Sequence, residues 1–440
     1  MRPLLALTTS AALAAALGGC KGEPLDAPWC GDAPDTGLPP TSESATWWVD
    51  IQPLVEQKCL RCHDEDAHAP LTFETYDQVA AAQALVRDAV LDRRMPPWLA
   101  AECCTDWFAD FGLTDAERAT LIGWIDAGAP EGDPAVTGDA LPPIGGVSRV
   151  DLSIMMPEPY TPDPPDGTID ENRCFLLDWP VEEEVRVTGM APRPGAREVV
   201  HHLIVASVGA ADVAAIERRD ADDEDAGFDC SGGLGEFPTA TPLGGSLLGG
   251  DYPRGIGSVV PPGSRILLQI HYSTSSDDPP ADQTSLDFRL DTTAVDASAI
   301  VIGNAAWLVG EGMRVPAGEA DVGFWYQFQP LLFTGGKPVD LQGVTPHMHR
   351  YASRMRVLAL KPDGSTTCLL EIPEWEFGWE QPYWFAEPIR FEPEDKLYLE
   401  CRFDNSASNQ PDGQEPREFA WGDNDQDMCA AFLSFTHVDP

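Results

Sequence analysis

From residue 45 onward, apolar positions first recur at helical spacing. Ile51, Leu54 and Val55 fall on one face of a predicted helix. Thr114-x-x-Glu117 reads as a capping box that opens a second helix, which buries Leu121, Trp124 and Ile125 and stops at Gly128-Ala129-Pro130. A Pro/Gly-rich stretch follows, to about Gly146, and beyond it the helical period disappears. Short β-prone runs replace it ("EEVRVTGM", "SRILLQIHYST", "MRVLALKP", "KLYLECRF"), separated by Gly, Pro, Asn and Asp clusters. That pattern predicts antiparallel sandwiches, and its length, with a seam near residue 295, suits two better than one.

The first residues follow another pattern. One positive charge, Arg2, precedes an apolar stretch from Leu4 to Leu17, which ends in Leu17-Gly18-Gly19-Cys20. The stretch is too short to span a bilayer comfortably and lacks a charged stop, so it reads as a signal peptide. Small residues before a cysteine resemble a bacterial lipobox, which implies cleavage before Cys20 and lipid attachment to its thiol. An ordinary secretory signal with an incidental cysteine is the alternative. The expectation is an exported chain, lipid-anchored at the bacterial cell envelope and touching the membrane through the lipid only.

Composition changes this picture modestly. A formal net charge of −44 repels nucleic acid and anionic lipid and could steer basic partners, but is mostly a statement about solubility. At 43% apolar residues, the chain has ample material for packed cores. Eleven cysteines in an exported chain point to disulfides.

Two cysteines have another use. "KCLRCHDE" contains Cys59-Leu60-Arg61-Cys62-His63, a C-x-x-C-H, in which two thiols on one helical turn can add to the vinyl groups of haem and the adjoining histidine can ligate iron. A thioredoxin-like pair or half a zinc site would leave His63 unexplained. The stretch resembles a class I c-type cytochrome, which implies a small all-α haem domain. In "RRMPPW", Met95 ahead of two prolines is held on a rigid extended loop, which suits a second axial ligand better than a core methionine. His68, the rival ligand, reads as a surface residue.

The remaining histidines are placed rather than scattered. "EVVHHLIVAS" puts His201 and His202 in one apolar strand and "LLQIHYST" puts His271 in another. Vicinal strand residues face opposite ways, so the first two share a metal only with local twist or different ring nitrogens. Three imidazoles without a thiolate suit copper or zinc. In "VTPHMHRYAS", His347 and His349 stand two apart, on one face of a predicted strand. "DNDQDMCAAFLSF" brings Met428, whose thioether selects Cu(I) over zinc, so His347, His349 and Met428 make a His₂Met set. His437 reads as structural.

These pieces, "VHHL", "LQIHY", "TPHMH" and "DMC" in that order, resemble the copper type II, ascorbate-dependent monooxygenases, the family of dopamine β-monooxygenase and peptidylglycine α-hydroxylating monooxygenase. The resemblance implies two jelly-roll-like sandwiches and two copper ions. One would be an electron-transfer copper on His201, His202 and His271, the other an O₂-activating copper on His347, His349 and Met428. It also implies disulfides Cys401–Cys429 and Cys174–Cys230, while Cys30 would meet Cys103 or Cys104 and Cys368 is left without an evident partner. The peptide-amidating members carry Arg where this chain has Thr345, and Asn and Tyr where it has Ala430 and Phe432. Those groups hold the peptide substrate, so peptide amidation is not expected and a less polar substrate is.

The expected molecule has a signal peptide at 1–19, a linker at 20–44, a small all-α cytochrome c domain at 45–132, a second linker at 133–158, and jelly-roll-like sandwiches at 159–295 and 296–440. The expected activity is hydroxylation of a C–H bond of a small organic substrate with O₂. Electrons would come through a covalent haem from a periplasmic redox protein or a small reductant. A non-catalytic haem- and copper-binding electron-transfer lipoprotein is the alternative.

Overall fold

The computed structural model describes residues 25, 28–29, 44–64, 69, 71–141, 144, 146–165, 168–230, 237, 239–244, 249–253, 255–274, 276, 278–308, 310–410, 414–422 and 426–438. The chain divides into two compact units. The first holds Ala33–Trp98 and Trp107–Ala294; the second holds Met1–Asp32, Leu99–Asp106 and Val295–Pro440.

The first unit opens with a π-helical turn, Trp47–Ile51, and short helices: α1 (Gln52–Lys58), α2 (Leu60–His63), α3 (Tyr76–Ala81), α4 (Gln83–Leu91) and α5 (Asp115–Asp126). Thr114 and Glu117 exchange both capping-box bonds at the start of α5. Trp47, Ile51, Leu54, Val55, Leu121 and Trp124 share one buried cluster. The strands follow: β1 (Leu152–Met155), β2 (Asp170–Leu177), β3 (Val185–Arg193) and β4 (Val200–Val208). Then come helix α6 (Ala210–Asp222), β5 (Phe228–Asp229), β6 (Thr241–Gly244), β7 (Gly250–Asp251), β8 (Ile256–Val260), β9 (Arg265–Ser273) and β10 (Ser285–Asp291). Strands β1, β10, β3 and β8 pair in that order, antiparallel, with β7 also on β3. The other sheet runs β5-β2-β9-β4-β6. Its centre, β9, is buried from Ile266 to Tyr272, so "RILLQIHYS" is a run covered on both faces rather than an alternating strand.

The second unit holds β11 (Val295–Ile302), β12 (Arg314–Val315), β13 (Val322–Phe328), β14 (Val339–His347) and β15 (Ala352–Leu360). It continues with β16 (Thr366–Ile372), β17 (Tyr383–Phe391), β18 (Lys396–Phe403), β19 (Phe419–Ala420) and β20 (Ala430–His437). Strands β11, β20, β14 and β17 pair in that order, β13-β18-β15-β16 form a four-stranded sheet, and β12 pairs with β19.

Several expectations are corrected. The chain is mostly β-sheet, in several sheets, and its helices are few and short, so the all-α cytochrome c domain ahead of two jelly-roll-like sandwiches does not describe it. The residues of the helical segment share a compact unit with the strands from β1 to β10, and residues 99–106 belong to the other unit. The second linker, 133–158, contains β1, which is paired with β10 through Leu152–Met155. Cys368 has a partner after all: it bonds Cys104, which is therefore not available to Cys30. Cys103 is also disulfide-bonded, and Cys30 lies outside the described residues.

Candidate metal centres

Strands β4 and β9 are neighbours, and their register jumps between Val200 and His202, so that His202 opposes His271 and His201 is the extra residue of a bulge. A bulge re-aims side chains, and here it brings two vicinal histidines to one place. The rings of His201, His202 and His271 lie 4.7–5.4 Å apart between centroids. One ligand nitrogen from each falls within 4.8 Å of the others. Imidazole nitrogens on one metal, at bonds of about 2 Å, sit at most about 4 Å apart, so small side-chain rotations would close the set. Nε2 of His271 faces Asp170 Oδ1 at 3.1 Å. A carboxylate accepting that N–H leaves the lone pair on Nδ1, an arrangement usual for metal-binding histidines.

His347 ends β14, and His349 follows on the turn just beyond it rather than on the strand. Their rings are still 5.1 Å apart, and Met348 between them is fully buried. Nδ1 of His347 donates to Glu380 Oε2 at 3.1 Å, and Nδ1 of His349 to the Gln426 carbonyl at 3.2 Å. Both rings therefore carry the lone pair on Nε2. The second Glu380 oxygen, Oε1, is buried without a hydrogen-bond partner.

Asp427 joins this pair to Met428. Its carboxylate is fully buried; Oδ1 accepts from the amides of His349 (2.7 Å) and Met428 (2.8 Å), and Oδ2 from the amide of Tyr351 (2.8 Å). Burial pushes its carboxyl up to about 7 against the pull of those amides. Cys429, next along, is bonded to Cys401 of β18. One buried side chain thus sets the backbone spacing between His349 and the half-buried Met428.

The face that carries His347 continues without charge. Across β14, β20 and β11, His347 opposes Ala430, Thr345 opposes Phe432, and Phe432 opposes Val301. Directly opposed residues share a face. Val301 is 55% exposed, and the Phe432 ring is 6.4 Å from that of His347.

In the C-x-x-C-H segment, the amides of Cys62 and His63 both donate to the Cys59 carbonyl at 3.0 Å, closing one turn. Burial pushes the Cys59 thiol up to about 12, with Cys62 adding to the rise and Lys58 opposing it. His63 donates Nδ1–H to the Leu71 carbonyl at 2.7 Å and stacks on Phe73 at 4.3 Å. Its pKa is lowered by burial, and the neutral ring offers Nε2 as a ligand. Two thiols on one turn and an oriented imidazole fit covalent haem. Met95 is half-buried on the irregular segment after α4. Cys20 and His68 lie outside the described residues, and His437 is exposed. Cys174 of β2 is bonded to Cys230. Among the described residues, no helix is long and apolar enough to cross a membrane.

Sequence reasoning missed Asp170, Glu380 and Asp427. Only Asp427 had a signal: an acidic residue directly before the candidate methionine.

No known family's sequence profile matches the chain, and no curated protein does. Among solved structures, PNGase F, a glycosylasparaginase from Flavobacterium meningosepticum, is 11% identical, with 66% of this chain and 96% of that chain covered and a TM-score of 0.30. A two domain protein with unknown function from Bacteroides fragilis is 9% identical, covering 61% and 85%, with a TM-score of 0.15.

Proposed function

We propose that the chain is an exported, lipid-anchored, copper-dependent monooxygenase. It would hydroxylate a C–H bond of a small apolar substrate, consuming O₂, two electrons and two protons and yielding the alcohol and water. One observation carries the reading: five histidines fall into two sets, each with a ring nitrogen held by a carboxylate. The four motifs in family order support it.

Copper bound at each set would supply one-electron redox chemistry with O₂ as oxidant, and a c-type haem on Cys59, Cys62, His63 and Met95 would supply one-electron carriage. The chain's own residues do the rest. Asp170 and Glu380 fix the tautomers of His271 and His347. Asp427 sets the separation of His349 and Met428. Thr345, Phe432 and Val301 offer the substrate an uncharged shelf beside His347. No cation is present on that row to hold a carboxylate, which argues for an apolar ligand.

The test is metal content followed by turnover under ¹⁸O₂ with extracts of the source cells. Expected are two coppers per covalent haem and a labelled hydroxylated product. Met428→Ala should keep the metal on His201, His202 and His271 and lose substrate-dependent oxygen uptake. Zinc as the sole tightly held metal, or wild-type turnover in Met428→Ala, would overturn the reading. Redox-active copper and haem with no oxygenated product would favour a non-catalytic electron carrier.

A further inference from the structure

Arg61 stands between the two cysteines of the C-x-x-C-H turn, and its side chain is engaged inside the first unit. Its guanidinium donates to the Gly249 carbonyl at 2.9 Å, makes a longer bond to the Ile144 carbonyl at 3.5 Å, and lies 4.5 Å over the Phe111 ring. Arg61 is half-buried, and two backbone carbonyls far along the chain meet its charge.

The Gly249 carbonyl is a fixed target. Gly249 has φ +54°, and a Cβ there would meet the Met190 carbonyl oxygen and the Ala191 Cα at 2.5 Å. Its backbone thus sits hard against β3, just before β7 pairs with that strand. Burial pushes the Cys62 thiol up, and Arg61 and Arg197 pull it back; Arg197 lies on the segment that leads into β4, four residues before His201. That segment is itself pinned, since the amides of Gly195 and Ala196 donate to the fully buried Asp282. Asp282 also accepts the hydroxyl of Tyr272, the neighbour of His271. The cysteine turn is thus tied to β3, and Asp282 holds both the segment that carries Arg197 and the Tyr272 next to His271 within the same compact unit.

We propose that Arg61 is a positioning residue that latches the C-x-x-C-H turn to the Gly249 carbonyl, so that a haem on Cys59 and Cys62 exchanges electrons with the His201/His202/His271 set inside one compact unit. This rests on the function proposed above. With haem and copper bound, the step would move one electron, oxidising ferrous haem iron and reducing cupric copper, with no atom transferred.

The latch is tested first in the full chain without haem or copper, by amide hydrogen exchange. In Arg61→Ala, protection at 59–63 and at 249–251 should fall together by about tenfold, the loss of one charge-assisted hydrogen bond, while β4 and β9 keep theirs. Arg61→Lys keeps the charge without the fork and should give a smaller fall; it also serves if the alanine variant does not fold. Unchanged exchange in both segments overturns the latch. In loaded protein, the haem is reduced by a flash with one electron under anaerobic conditions, and the Cu(II) resonance is followed. Arg61→Ala should slow its loss, with haem and copper content unchanged. An unaltered rate alongside altered exchange overturns the electron route and leaves the latch. A wild-type chain without covalent haem overturns the electron route together with the reading of the C-x-x-C-H turn, and exchange still decides the latch.

Discussion

His271, His347 and His349 each have a partner that takes a ring N–H and leaves the lone pair on the other nitrogen. For His347 the partner is Glu380, whose Oε2 is engaged and whose Oε1 is buried without a hydrogen bond. A buried carboxylate oxygen left unpaired is costly unless something else at the site compensates it. Removing such a partner typically lowers metal affinity roughly 10–100-fold. Glu380→Ala should therefore weaken Cu(I) binding at His347/His349 by about that factor, measured by competition with a Cu(I) chelator. Glu380→Gln keeps an oxygen acceptor for the Nδ1–H and should recover most of the loss. Equal affinities in all three proteins would show that the carboxylate does not orient His347. The histidines were legible from the sequence because their type and strand context are local. Their partners were not: Asp170 lies 101 positions from His271, Glu380 lies 33 from His347, and Asp427 lies 78 from His349. No spacing rule links residues that only the sheet brings together.

Among elements, β-strands were readable from composition and turn residues, whereas irregularities within them were not. Nothing in "EVVHHLIVAS" announces that the ladder slips at His202, yet that slip allows two vicinal histidines to meet His271. The short helices were readable from capping and apolar spacing, but whether they form a domain depends on contacts such as Arg61 to Gly249, which bridge 188 positions. At the start of β20 the element is held twice, by Asp427 and by the Cys401–Cys429 bond that closes on β18. Replacing both cysteines by alanine should cost about 2–5 kcal/mol in denaturant unfolding. It should also loosen Met428, so copper at His347/His349 should be lost at lower chelator concentration while copper at the three-histidine set is not. Equal loss at both sets would mean that the disulfide supports the fold alone.

For the whole molecule the dominant fact is a formal charge of −44 spread over 440 residues. Repulsion of that size acts over a Debye length, about 30 Å at 0.01 M salt and about 8 Å at 0.15 M. A negative field slows the approach of anionic reductants and speeds that of cationic ones, and steering of this kind changes rates by roughly 10–10³-fold. The charge of the electron donor should therefore be readable from salt dependence. Reduction of the haem-loaded chain by hexaammineruthenium(II), a cation, should slow as salt rises from 0.01 to 0.15 M, whereas reduction by ferrocyanide, an anion, should accelerate. Stopped-flow absorbance of the haem gives both rates. Because the sign of each slope follows from charge alone, the pair of reagents controls for any effect of salt on the protein itself. Parallel slopes would report an effect of salt on the protein itself. Reversed slopes, with the cation accelerating and the anion slowing, would mean that local charge at the point of electron entry, such as Arg61 and Arg197 beside Cys62, outweighs the net charge. An anionic small reductant would then be as good a partner as a basic protein.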